Sequence, residues 1–300
     1  MIRSYQRALC RLGWYPPRAG IDGIAGRMFR AAVLGFKQRL VDYHGIDPAD
    51  ISFDSQTSNE NRALLDATTQ DLILHAVAGG KIGGVAHPLI PSRAEIADAD
   101  LSQEELCTAL EERLGQHVPV ELYSLVVEHE SRWQPFFDPG DGNEILTWGA
   151  DYTGPQPGYP RDLEIMPPPY VKSRGYGLGQ VTAPGLPATD PYLMWDGDVE
   201  PAAVPAWPAW CLSLSVNLAI GAAKVFAEKY RYKSSLRHPC SHRPRFGCRK
   251  CLAEIYYSGG GYDRGRQEPC SWLEAVGRYA GNGPKAKEMI DECILLAVKE

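Results

Sequence analysis

The chain has 300 residues, enough for two compact domains, and its 44% hydrophobic and 23% charged residues are the proportions of an ordinary globular protein. No apolar run approaches the roughly 18 residues that suggest a membrane span, and a net charge of −6 argues against a nucleic-acid partner. The opening Met1–Gln6 lacks the basic and then apolar layout of a signal peptide, so the expectation is a leaderless chain or a piece of a longer one.

Charge is unevenly spread. Residues 1–39 hold eight Lys or Arg and a single acid, Asp22, and Lys229 to Ala253 hold eight more with no acid. Two basic patches on an acidic chain are suited to holding an anionic polymer locally, although such stretches are usually solvated surface. Eight cysteines are present, and Cys240, Cys248, Cys251 and Cys270 cluster. A chain of this length does not need them in place of a core, so the clustering points to a local staple or a metal site.

In chain order, Ile2, Tyr5, Leu9 and Leu12 share a helical face ending at Gly13, a C-cap. Trp14-Tyr15-Pro16-Pro17 and the turn Ile21-Asp22-Gly23-Ile24-Ala25-Gly26 follow. A second helix is expected from Arg27 to Leu40, with Phe29, Ala32, Val33 and Phe36 on one side. A weaker third unit runs through Asp54, Thr57 and Arg62–Leu65. This amounts to a small three-helix domain over residues 1–75.

Residues 2–38 resemble the peptidoglycan-binding domain of many cell-wall hydrolases. The matching positions are Gln6, Leu9, Leu12, Gly13, Tyr15, Ile21, Asp22, Gly23, Gly26, Ala32, Val33 and Phe36, with Phe29 where the family usually has Thr. The resemblance implies a wall-binding role for Tyr15, Asp22 and Gly23.

Gly79-Gly80, Gly83-Gly84 and Pro88–Pro91 mark residues 76–100 as a linker. Ser102 with Glu105 forms a capping box for a helix through Leu114. Another helix runs from Val118 to about Glu130, with Pro119 in its first turn and Leu122, Leu125 and Val126 on its apolar face. Residues 139–170 are rich in Pro, Gly and aromatics and read as a functional loop. An apolar helix is expected from about Trp210 to Tyr230, and two more near Leu252–Tyr257 and Lys285–Val298. No long alternating pattern appears, so residues 101–300 read as mostly helical.

The chemistry-bearing stretch is Leu125–Pro135, where an apolar helix ends in Glu130-Ser131. Breaking a glycosidic bond requires an acid that keeps its proton near neutral pH, which an apolar setting and a helix C-terminus both favour. The segment resembles the Glu-Ser motif of soluble lytic transglycosylases and goose-type lysozymes, where this glutamate is the catalytic acid. Three further stretches follow in the family's order. Gly177-Leu178-Gly179-Gln180 is similar to a cleft-lining Gly-Leu-Met-Gln, with Gly179 in place of Met. Asn217–Gly221 is similar to an Asn-Ile-x-x-Gly that opens a core helix. Tyr257-Ser258 stands where the family has Tyr-Asn.

The resemblance implies a mainly α chain, a three-helix peptidoglycan-binding domain joined to a lysozyme-like α-helical domain. It implies a muramidase or lytic transglycosylase that cuts the β-1,4 bond between N-acetylmuramic acid and N-acetylglucosamine. Glu130 would be the general acid, with Ser131, Gly177, Leu178, Gln180 and Tyr257 shaping the substrate cleft. The spacing from Glu130 to Gly177 is longer than the family's, so residues 139–173 read as an insertion. Candidates for a second carboxylate are Glu121, Asp138, Asp141 and Asp151. Glu121 sits half a helical turn out of phase with Glu130, and Glu128 faces about 200° away. The loop acids are more often simply solvated.

Cys240, His242, Cys248 and Cys251 have the types and spacing of a structural zinc site. Disulfides with Cys211 or Cys270 are the competing reading for a protein acting outside the reducing cytoplasm. Catalysis itself calls for no cofactor. The expected partner is peptidoglycan, with no nucleic acid and no membrane span. Delivery machinery and an immunity inhibitor are open partner classes. The expected place of action is the wall of a target bacterium, from the periplasm or the outer face, after phage-type or secretion-system delivery. The reading from another class is a wall-binding protein whose lysozyme-like domain is catalytically dead; the retained Glu130 weighs against it.

Overall fold

The computed structural model describes residues 1–54, 57–114, 120–153, 170–182, 207 and 210–229, about half of them α-helical, with a few short strands. They fall into two compact units. The first takes the described residues of 1–96 and 136–176 together with Trp207, and the second those of 97–135, 177–182 and 210–229. Among the described residues no helix is long and apolar enough to cross a membrane.

The first unit begins with α1 (Ile2–Arg11) and α2 (Arg27–His44). Leu9 and Leu12 are fully buried, as are Val33 and Phe36, so the apolar faces expected for both helices form the core. Each such side chain contributes about 1.5–3 kcal/mol by leaving water. Gly13 follows α1 with a left-handed φ of 72°, the conformation a helix-terminating glycine supplies without a Cβ penalty. The second helix runs a turn beyond its expected end and stops where Gly45 adopts φ 66°.

Two short helices follow, α3 (Asn59–Arg62) and α4 (Ala67–Val77), then the antiparallel pair β1 (Lys81–Ile82) and β2 (Val85–Ala86). Asp66 caps α4 by accepting from the Thr69 amide at 2.7 Å. Tyr5 of α1 donates to Gln70 of α4 at 2.8 Å. Residues 76–100, expected as linker, carry the end of α4, the β1–β2 hairpin and a capped 3-10 turn at Arg93–Glu95.

Of residues 139–170, expected as a loop, the described residues 145–146, 148–153 and 170 lie in strands. Strand β3 (Phe136–Phe137), just before that stretch, pairs with β4 (Ile145–Leu146), and β5 (Trp148–Thr153) pairs antiparallel with β6 (Tyr170–Tyr176). Trp148 and Ala150 are buried on β5 with Gly149 less so, the period of two of a half-buried strand, whereas Arg174, Gly175 and Tyr176 are all buried on β6. A register shift between Asp151 and Tyr152 interrupts the ladder.

Trp14 is the hub of this unit. Its indole N–H donates to His87 Nε2 at 3.0 Å, and the Arg174 guanidinium lies 4.8 Å over its ring. Arg174 Nε also donates to the Gly13 carbonyl at 2.8 Å. On α2, a Cβ at Gly35 would come within 2.7 Å of the Trp14 ring, so this glycine permits the close approach. Because His87 Nε2 accepts from Trp14, the ring proton sits on Nδ1, which donates to the Pro88 carbonyl at 2.9 Å. Complete burial holds this histidine neutral, far below its usual pKa.

The second unit contains α5 (Gln103–Leu114), α6 (Val120–Ser131), β7 (Val181–Thr182) and α7 (Leu214–Lys229). The capping box at α5 is present: Glu105 accepts from the Ser102 amide and hydroxyl at 2.8 and 2.7 Å. The α5 helix packs on both α6 and α7. The start of α7 is held from far along the chain, where Asp98 accepts from the Leu214 and Ser215 amides at 2.7 and 3.1 Å. Its carboxylate also receives the Ser213 hydroxyl at 3.0 Å, satisfying donors that a helix N-terminus leaves open.

Candidate active site

Glu130 is the penultimate residue of α6. Seven residues at 100° each bring it back to within about 20° of Tyr123, two turns or about 10 Å along the same face. Tyr123, Val126 and Val127 are buried, so Glu130 prolongs the buried stripe and is itself half-buried, whereas Glu128 is exposed. The difference in phase expected between the two glutamates is therefore present. Ser131 is buried and donates to the Val127 carbonyl at 3.1 Å, a bond internal to the last turn.

The helix ends abruptly. Arg132 and Trp133 both have φ 54°, a left-handed pair made of non-glycine residues. Each such residue costs about 1–3 kcal/mol, and strain of this kind persists where the surroundings over-determine the backbone, often at functional sites.

The segments at 177–180 and 217–221 meet on α6 through Tyr123. Asn217 accepts from the Gly179 amide at 2.9 Å and donates to the Trp210 carbonyl at 3.3 Å, fixing the turn from behind. Gly177 has φ 69°, and a Cβ there would lie 2.8 Å from the Asn217 carboxamide. A Cβ at Gly179 would lie 2.8 Å from the Tyr123 hydroxyl, and one at Gly221 would overlap it. The departure from Met at 179 thus has a local reason: the tyrosine hydroxyl occupies the space a side chain would need.

Gln180 has φ 43° and closes its own turn, its Nε2 donating to the Gly177 carbonyl at 2.8 Å. Leu178 is wholly buried, while Gln180 is half-buried and keeps an accessible surface. Tyr257 and Ser258 lie outside the described residues, as do Cys240, His242, Cys248 and Cys251. Among the described residues no group of three or more His, Cys, Asp or Glu is placed to hold a metal ion. Cys10 is a buried free thiol, pushed up to about 12 by burial. Cys211 is buried at the start of the α7 segment.

The candidate second carboxylates have separate surroundings. Glu121 is in the first turn of α6, and its side chain lies outside the described residues. Asp138 accepts from the amides of Gly140, Asp141 and Gly142 at 2.7, 3.1 and 3.2 Å. Those bonds hold its carboxyl below the usual range. Asp141 pairs with Arg11 at 2.8 Å. The backbone of Asp151 lies opposite Ser173 in the β5–β6 pair. Asp138, Asp141 and Asp151 all belong to the first unit.

In the first unit the expected wall-binding residues converge on one buried amide. Gln6 Nε2 donates to Asp22 Oδ1 at 2.7 Å and to the Tyr15 hydroxyl at 3.1 Å, while Gln6 Oε1 accepts from the Gly23 amide at 2.8 Å. The Gln6 bond, then the Ile24 amide, hold the Asp22 carboxyl below its usual value. Gly23 has φ 82°, which suits glycine at the tip of the turn. Tyr15 itself is buried, and its hydroxyl donates to the Gly20 carbonyl at 2.8 Å.

Of the basic residues of the first patch, Lys37 and Arg39 are buried, Arg3, Arg18 and Arg27 are exposed, and several reach partners within the unit. Arg7 donates to the Pro139 carbonyl at 2.9 Å and Arg18 to the Ala150 carbonyl at 2.8 Å. Arg11 pairs with Asp141, Lys37 with Asp66, and Arg39 is buried over Tyr43. Tyr123 did not stand out on sequence as a site residue, and Asn217 was singled out only as the start of a core-helix motif. Helical phase from Glu130 was the available signal for Tyr123, and the small residues Gly179 and Gly221 were the signal for its partner surface. No family model, no curated protein and no solved structure matches the chain.

Proposed function

We propose that the chain cleaves peptidoglycan glycan strands between N-acetylmuramic acid and N-acetylglucosamine, with Glu130 as the general acid. The observation that carries this reading is the convergence on α6. A half-buried carboxylate ends the stripe, and two other segments of the resembled family pack against the same helix through Tyr123. The strained Arg132–Trp133 backbone directly after it adds support.

In this proposal Glu130 gives its proton to the glycosidic oxygen as the bond from the muramic C1 breaks. A lytic transglycosylase would complete the reaction by attack of the same muramic 6-hydroxyl, whose proton returns to the Glu130 carboxylate. A lysozyme would use water held by a second carboxylate. The first unit would hold the enzyme on the wall through the surface around the Asp22–Gly23 turn.

Clearing of purified sacculi by the wild type and by Glu130→Gln tests the acid. The amide preserves shape and cannot give up a proton in the required way. The expected result is loss of clearing with an unchanged circular dichroism spectrum. Clearing by the folded variant at the wild-type rate rejects the assignment.

A further inference from the structure

We propose that Tyr123 is a positioning residue for the reaction, resting on the glycan-cleaving reading of Glu130. It sets the turn at Gly177–Gln180 against α6 and thereby fixes where the acid stands relative to that turn. Three independent observations carry the inference. Tyr123 is almost wholly buried on the same helical face as Glu130, so a rotation or slide of α6 that moved one would move the other. Its hydroxyl would lie 2.8 Å from a Cβ at Gly179 and would overlap one at Gly221, glycines from separate segments, so neither segment tolerates a side chain there while the tyrosine stays put. The turn has little freedom to yield on its other side, since Asn217 holds the Gly179 amide and its carboxamide would lie 2.8 Å from a Cβ at Gly177.

The two glycines differ in a useful way. At Gly179 the Tyr123 hydroxyl is the only neighbour within 3.0 Å of a new Cβ, the next being the Val181 side chain at 3.4 Å and the Asn217 carbonyl at 3.5 Å. Removing one oxygen atom therefore makes room for alanine at 179. At Gly221 a new Cβ would still lie 3.1 Å from the tyrosine ring carbon after the oxygen is gone, so relief there is only partial. The device is a lock whose fit is set by a single hydroxyl. Displacing a reacting group by about 1 Å lowers turnover by about a hundredfold, so small shifts of α6 against the turn are readable in rate.

The test uses the full chain and soluble peptidoglycan glycan fragments, comparing wild type, Gly179→Ala, Tyr123→Phe, Gly221→Ala and the double variant Tyr123→Phe/Gly179→Ala. Gly179→Ala is expected to lower kcat at least about tenfold while KM stays within about twofold. The double variant should recover most of that loss, to within about threefold of Tyr123→Phe alone, and Gly221→Ala should be the more damaging alanine. Melting temperatures measured alongside keep every rate on a per-folded-molecule basis. A Gly179→Ala protein that melts early but turns over normally when folded overturns the inference, because Tyr123 would then only fill the core. So does a double variant no faster than Gly179→Ala. A wild-type chain that leaves the fragments intact fails first and separately: it removes the reading of Glu130, and the inference with it.

Discussion

Arg11 on α1 lies 2.8 Å from Asp141, a residue 130 positions further along the chain. Arg7 and Arg18 reach the same stretch through the carbonyls of Pro139 and Ala150. The N-terminal helices and residues 136–153 therefore build one unit in which each covers the other's polar groups. Deleting residues 1–70 is expected to abolish cooperative melting of this unit instead of releasing a trimmed enzyme. Calorimetry checks this; a truncated chain that keeps a sharp unfolding transition in the β5–β6 region contradicts it. Arg11→Ala alone should cost no more than about 1 kcal/mol, since the pair is partly exposed and screened.

Lys37 and Asp66 form a pair in which the lysine side chain is wholly buried and the carboxylate is 23% exposed. Burial draws the lysine below its usual pKa, with Asp66 pulling the other way. Burial also acts to raise Asp66, but Lys37 and the Thr69 donors outweigh it and hold the carboxyl low. The two deletions should therefore differ sharply. Asp66→Ala strands a buried ammonium and uncaps α4, and is expected to cost about 3–5 kcal/mol. Lys37→Met leaves Asp66 capping Thr69 and should cost far less. Urea denaturation of both variants checks the order, and equal losses contradict it.

His87 and His44 are both held neutral by burial, His87 the more strongly. For a base with a lowered folded pKa, the unfolded chain takes up the proton first. Stability is thus complete above about pH 6.5, the unfolded value, and is lost as pH falls from there towards the folded pKa. Each fully buried histidine contributes up to about 1.4 kcal/mol per pH unit in that window. Melting curves from pH 7.5 to 5.5 should show this fall, and His87→Asn should be less stable at pH 7.5 but flatter with pH. An identical slope in the variant would mean that other groups control the acid limb.

Gln6 satisfies the Asp22–Gly23 turn and the Tyr15 hydroxyl from within the core. Gln6→Leu keeps the bulk and leaves those partners unmatched, at a cost of about 1–3 kcal/mol. If the turn is the wall-binding surface, pelleting with insoluble sacculi should weaken in this variant while cleavage of short soluble glycans changes little. An unchanged pelleted fraction would place wall binding elsewhere.

Local patterns were legible in the sequence where the partner sits a few residues away. Ser102 and Glu105 spell out their own capping box, and the 3.6-residue phase separates Glu130 from Glu128. Features made by distant residues were not. The cap of α7 comes from Asp98, 116 positions before Leu214, and nothing near Leu214 announces it. The strand β5 carries Gly149, Ala150 and Asp151 in place of a run of β-branched residues, so its buried alternation was hidden. The paired glycines at 79–80 and 83–84 suggested a linker, yet Gly79, Gly83 and Gly84 take left-handed turns after α4 and between β1 and β2. Sequence does not reveal that Arg7, Arg11 and Arg18, none of them buried, have partners beyond position 138.

The central claim is that Glu130 supplies the proton for glycan cleavage. Mass spectrometry of muropeptides released from purified sacculi tests it most directly, because it reads which bond was cut and what end was left. The account predicts that the wild type releases fragments cut after N-acetylmuramic acid, ending in either a reducing sugar or a 1,6-anhydro sugar, and that folded Glu130→Gln releases none. The same fragments from the folded Glu130→Gln protein, or none from the wild type, would contradict it.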